Sequence, residues 1–146
     1  MKKNILKRML SFIAMCMVLI STVSFIANAE EILPRYNNVS YAESNVTISS
    51  SGKMTITNSF SASASVFTKA NIKTYIEKKT LGLFWTRVDI GQTDDEWNDV
   101  TYDNVYSGTH SHQLEKTGTY RVTVEYVIFG SGGAADTITR EIEKTY

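Results

Sequence analysis

Cysteine is nearly missing from this chain. The single one, Cys16, lies in an apolar stretch near the start, so everything after it has neither a disulfide nor a thiol. A lipidated cysteine needs a small residue directly before it, and Met15 stands there with apolar sequence continuing behind, so no lipid anchor is expected. Proline occurs once, as Pro34, and histidine twice, as His110 and His112. No basic run follows residue 29, and no window after it carries a helical period. There is no Gly-x-Ser-x-Gly. Gly130-Ser131-Gly132-Gly133 lacks the Lys-Ser/Thr of a phosphate-binding loop and does not open a helix. Carboxylate pairs occur, but no apolar pocket that would raise the pKa of one partner is legible. These absences argue against an enzyme and against any cofactor.

The start of the chain carries a targeting pattern. Lys2, Lys3, Lys7 and Arg8 precede Met9 to Ile26, which holds no charge, and Ala27-Asn28-Ala29 follows. This is the layout of a signal peptide cleaved after Ala29, with an uncleaved anchor as the competing reading. Cleavage leaves 117 of the 146 residues, with eleven basic residues against 15 acidic ones and a net charge of −4. That balance disfavours nucleic acid and an anionic membrane surface as partners. A chain of this size buries roughly two-thirds of its unfolded surface, enough for an independent fold without disulfides.

What the sequence does contain is strand periodicity. Residues 30–44 are polar, hold Pro34, and read as an extended arm or a first edge segment before a domain over 45–146. Val46 and Ile48 alternate with polar neighbours, and Ser50-Ser51-Gly52 is a turn signal. Met54, Ile56 and Phe60 share one parity, interrupted by Asn58. In the next strand Ile72, Thr74 and Ile76 point inward. Phe84, Thr86, Val88 and Ile90 are expected on one face of a following strand. Gly91 to Asp99 reads as a polar loop anchored by Trp97, and Ser107-Gly108-Thr109 as a break between two short strands. From Gly118 to Phe129 the alternation is clearest, with Tyr120, Val122, Val124, Tyr126 and Ile128 inward. Gly130 to Gly133 is a hairpin loop whose glycines suit positive φ. The last strand sets Arg140 on the parity of Ile138 and Ile142, which marks an edge or a bulge.

Seven to eight short antiparallel strands, with turn signals roughly every ten residues, define an all-β sandwich or barrel. Leu114, Gly118, Tyr120 and Val122 resemble the corner of an immunoglobulin-like domain, and the expected fold is therefore an immunoglobulin-like β-sandwich rather than a barrel. In that resemblance the hydroxyl of Tyr120 bonds back to the upstream backbone and Val122 takes the place of the second cysteine. Lys116 stands where many such domains have Asp, and Ile76 where many have Trp. The chain after residue 29 also resembles an uncharacterised family of small exported proteins of Gram-positive bacteria. Pro34-Arg35-Tyr36-Asn37, Ser51-Gly52-Lys53, Lys78 to Trp85 and Gly118 to Tyr146 carry that likeness. It implies an exported domain and no particular chemistry.

Three groups of residues are candidates for function. His110 and His112, two apart on a strand, face one way and would need a third metal ligand such as Asp99, Asp103 or Glu115; the competing reading is two solvated polar residues. Asp94, Asp95, Glu96, Asp99 and Asp103 form the densest acidic cluster, without the spacing of an EF-hand, and read equally as a solvated loop. In Leu81-Gly82-Leu83-Phe84-Trp85, Leu83, Phe84 and Trp85 follow one another and cannot all face one core. Leu83, Phe84, Trp85 and Trp97 are therefore the expected partner-binding residues, against the alternative that Trp85 covers the end of the core or packs under Trp97. The expected function is a secreted or surface-associated, non-catalytic binding module for an extracellular protein or glycan. A calcium- or zinc-binding structural module, and last a small hydrolase using His110 or His112, are the alternatives.

Overall fold

Among residues 36–146, which the computed structural model describes, strands follow one another with short connections. They are β1 (Tyr41–Ile48), β2 (Lys53–Ser61), β3 (Phe67–Thr80), β4 (Phe84–Arg87), β5 (Glu96–Thr101), β6 (Val105–Gln113), β7 (Thr119–Gly130) and β8 (Asp136–Thr145). The expectations for residues 1–35, the signal segment and its cleavage after Ala29 among them, lie outside the described residues.

The strands make two antiparallel sheets that enclose one core, a β-sandwich. One sheet runs β1-β2-β6. The other runs β4-β3-β7-β8, with β5 pairing to β3 beside β4. Residues 77–80 of β3 pair with β4, and 70–75 pair with β5, so β4 and β5 share one edge. Between them the Val88 N–H donates to the Ile76 carbonyl.

Side-chain alternation decides which residues fill the space between the sheets. In β7, Tyr120, Val122, Val124, Tyr126 and Ile128 are buried. Val122 stands between Ile76 of β3 and Ile142 of β8 in register. Met54, Ile56 and Phe60 of β2 supply the opposite wall. Each fully buried side chain of this size contributes roughly 1.5–3 kcal/mol before entropy is subtracted. The Tyr120 hydroxyl donates to the Lys116 carbonyl and pins the β6–β7 corner. That acceptor is main chain, so the identity of residue 116 does not enter.

Several expectations are corrected by the tertiary arrangement. The first strand opens at Tyr41 rather than Asn45. The segment before it is tied to the start of β8 and the loop that precedes it. The buried carboxylate of Asp136 accepts the N–H groups of Asn37, Asn38 and Val39 at 2.9, 2.6 and 3.1 Å. The Asn38 side chain donates to the Ala134 carbonyl at 2.8 Å and accepts from the Gly132 N–H at 3.0 Å. Gly130 and Gly132 are needed for this approach and not for positive φ, which in this loop falls on Gly133. A Cβ on Gly130 would sit 2.6 Å from Asn38 Oδ1.

The expected break at Gly108 is also absent, and β6 runs unbroken through it. The Tyr106 side chain lies over Gly108, where a Cβ would collide with the phenol oxygen. The expected loop over Gly91 to Asp99 contains a 3-10 turn, Thr93–Asp95, and the opening of β5. The expected strand from Phe84 to Ile90 ends at Arg87. Arg140 behaves as an edge residue: β8 is the outer strand of its sheet, and the guanidinium donates to the Ala42 carbonyl of β1 at 3.1 and 3.2 Å.

Candidate functional site

The β3–β4 connection is the three-residue turn Leu81-Gly82-Leu83, with Thr80 and Phe84 in register across it. Leu81 and Gly82 have φ of 52° and 70°, and the Leu83 N–H returns to the Thr80 carbonyl at 3.2 Å. Two consecutive positive φ values mark the mirror-image turn that matches strand twist, for which Asn-Gly is the favoured sequence. Leu at the first position is held in the left-handed region at a cost of about 1 kcal/mol. Two aspartates, Asp94 and Asp95, are the other non-glycine residues at positive φ among the described residues. Aspartate tolerates that conformation through local hydrogen bonding, whereas leucine has no such compensation.

The same turn projects apolar side chains into solvent. Leu81 is 85% exposed, Leu83 76% and Phe84 63%. Phe84 has the inward parity expected of it, but its register partner is Thr80, the last residue of β3. Thr80 is itself exposed, because the core ends short of this position.

Trp85 takes the outer face of the sheet, opposite Lys79 in register. The Lys79 ammonium lies 5.3 Å from its ring centre and the Arg121 guanidinium 4.6 Å. Arg121 is fixed by two bonds to Glu77 Oε2, at 2.8 and 3.0 Å. That bond is the main reason its pKa is raised above the usual guanidinium value. Arg87 lies over the Tyr75 ring at 3.5 Å. Trp85 is therefore half-buried among cations on the outer surface, and it is not packed under Trp97.

Trp97 belongs to a different place. It pairs with the inward-facing Thr74 and stacks on His110, with ring centres 4.8 Å apart and planes 9° from parallel. His110 Nε2 lies 2.7 Å from Asp99 Oδ2, and the Tyr106 hydroxyl donates to the same oxygen at 2.7 Å. Burial and then the bond to Asp99 push the Tyr106 phenol well above its ordinary pKa. β5 and β6 are the exposed edges of opposite sheets, so this cluster closes one open side of the sandwich. Of the four residues expected to bind a partner, Leu83, Phe84 and Trp85 share one hairpin, and Trp97 lies apart on β5, on the face of the sheet opposite to Trp85.

The acidic residues do not converge. Glu96 pairs with Lys73 at 3.2 Å, and Asp99 is spent on Tyr106 and His110. Burial acts to raise the Glu96 pKa, but bonds from Asn98 and Lys73 outweigh it and hold the carboxylate low. Among the described residues no three His, Cys, Asp or Glu side chains come close enough to hold a metal ion. His112 lines a separate open cleft of about 510 Å³ together with Lys78, Val88, Leu114, Lys116 and Tyr120. Leu81 is the exposed tip residue that periodicity could not single out. Its signal was a leucine directly before a glycine in a short turn, where asparagine is the usual residue.

The class the geometry defines is an antiparallel β-sandwich that displays an apolar hairpin tip. No family model matches the chain, and no curated protein matches it, so the functional reading rests on this geometry.

Proposed function

We propose that the chain is an exported, non-catalytic binding module that engages its partner at the cell exterior through the β3–β4 hairpin tip. One observation carries the reading: Leu81, strained at positive φ, stands with Leu83 and Phe84 in solvent at a turn that polar residues would satisfy at lower cost. The sheet order β1-β2-β6 against β4-β3-β7-β8, with the Tyr120 hydroxyl bonded to the Lys116 carbonyl, supports an immunoglobulin-like sandwich of the fibronectin type III kind. In such a frame, loops and hairpin tips are the parts free to serve binding.

An extracellular protein or glycan is the partner class to which the sequence points, and the tip is the surface either would have to contact. The test is retention on intact cells and cell-surface preparations. A Leu83→Asp/Phe84→Asp variant should keep the wild-type melting curve and lose retention by about tenfold or more, since both side chains are already in water in the free protein. Retention that survives this variant removes the tip from the binding surface.

A further inference from the structure

The hairpin tip is layered along the β3–β4 ribbon. Leu81 and Leu83 stand at the turn, Phe84 one residue behind, and Trp85 next, with the Lys79 ammonium 5.3 Å from its ring centre. The ten residues from Lys78 to Arg87 contain three cations and no acid. The nearest acids lie further back along the sheet, where Glu77 and Glu141 both pair with the one guanidinium of Arg121, at 2.8 and 3.6 Å. The chain beyond residue 29 is net acidic, but charges separated by more than a Debye length of about 8 Å do not cancel one another at a surface. The tip therefore carries a local positive field.

We propose that the occupant of this tip is a lipid bilayer surface with anionic headgroups. The inference rests on the tip being the binding element; it puts a lipid surface in place of the protein or glycan expected from the sequence, and sets the local charge of the tip against the net charge that disfavoured a membrane. Aliphatic side chains at the turn enter the acyl boundary. Trp85 sits at headgroup depth, where rings with one polar edge are favoured, and Phe84 goes with the leucines. Lys79 and Arg87, on the outer face with Trp85, face the lipid phosphates, while Lys78 lies on the inner side over the Tyr120 ring at 5.4 Å. A protein partner would need a cavity shaped to the apolar tip. A sugar would need an open aromatic face flanked by hydrogen-bonding groups; the Trp85 ring is engaged by Lys79 and Arg121, and the exposed Phe84 ring follows two leucines at an apolar turn. A fluid bilayer needs neither, because it closes around a convex apolar point. The strain at Leu81 has the same direction: a glycine or asparagine would form the turn more readily but would insert nothing.

The experiment is co-sedimentation with phosphatidylcholine vesicles, with and without phosphatidylglycerol, read alongside tryptophan emission in a Trp97→Phe background so that Trp85 alone reports. The proposal expects binding to the anionic vesicles, weakened by salt, with a blue shift of Trp85. It expects Leu81→Asp/Leu83→Asp to lose about tenfold or more of that binding. Leu81→Gly should bind several-fold more weakly while melting higher than wild type, which separates insertion from folding. Comparison within one chain also removes any contribution from the apolar stretch at residues 9–26. Vesicle binding that is indifferent to the tip variants, or that leaves Trp85 emission unmoved, overturns the inference. If the tip variants lose retention on cells while vesicles are ignored, the lipid partner falls and the binding-module reading stands. If neither assay depends on the tip, both fall.

Discussion

Asn58 of β2 donates its side-chain N–H to Thr74 Oγ1 of β3 at 2.8 Å, joining the two sheets inside an otherwise apolar core. Asn58 Oδ1 has no protein partner among the described residues. A buried polar pair of this kind is costly to break and cheap to replace. Thr74→Val alone should destabilise by about 1–3 kcal/mol, because it strands the Asn58 amide. The double variant Asn58→Leu/Thr74→Val should recover most of that loss in chemical denaturation. A double variant no more stable than the single one would show that the pair contributes beyond its own hydrogen bond.

Asp136 ties the entry of the chain to β8 through three main-chain N–H groups. Asp136→Ala leaves these donors without their acceptor and should cost about 3 kcal/mol. Hydrogen exchange at Asn37 to Val39 should rise first. Exchange that stays at the wild-type rate would mean the segment is held by other contacts.

Tyr120→Phe removes the bond to the Lys116 carbonyl and should lower stability by about 1 kcal/mol. The ring is retained, so the packing of Leu114 and Val122 is unaffected. An unchanged denaturation midpoint would show that the corner does not depend on the hydroxyl.

The fold should weaken in alkali. Tyr106 and Tyr126 are both raised above the ordinary value of 10.0, chiefly by burial. For Tyr106 the bond to Asp99 adds to burial, whereas for Tyr126 the bond with Ser44 opposes it. A raised folded-state pKa means that the unfolded chain loses its proton first. The stabilisation is therefore complete below pH 10 and is lost as pH climbs through the folded values. Melting temperature should fall above that point, and Tyr106→Phe should make the fall shallower. An identical alkaline slope in the variant would remove Tyr106 from the linkage.

Trp85→Ala should leave the fold nearly intact, since the ring covers cations on the outer face rather than core side chains. Loss of a stacked cation at an exposed site is worth about 0.5–1 kcal/mol. A variant that fails to fold would place Trp85 in the core.

Much of the sandwich is written in local alternation. The inward set of β7, the inward Ile72, Thr74 and Ile76 of β3, and the parity of β2 follow from a side-chain period of two. That period does not depend on which strand lies alongside. The sequence alone therefore determined that this is an antiparallel β domain, and which face of most strands turns inward.

The remainder depended on partners distant in the chain. Asn58 reads as an interruption until Thr74 arrives from the other sheet. Gly108 reads as a break until the Tyr106 ring is laid over it, and Gly130 and Gly132 read as turn glycines until Asn37 and Asn38 pack on them. Asp99, one of three acids the sequence offered beside His110, is the one that reaches it, because β5 and β6 are edges of different sheets. Phe84 keeps its inward parity and is nevertheless exposed, because β3 ends at Thr80 and the core stops before it. Alternation assigns a side chain to a face. Only the assembled sheets decide whether that face has anything opposite it, and for the apolar hairpin tip it has solvent.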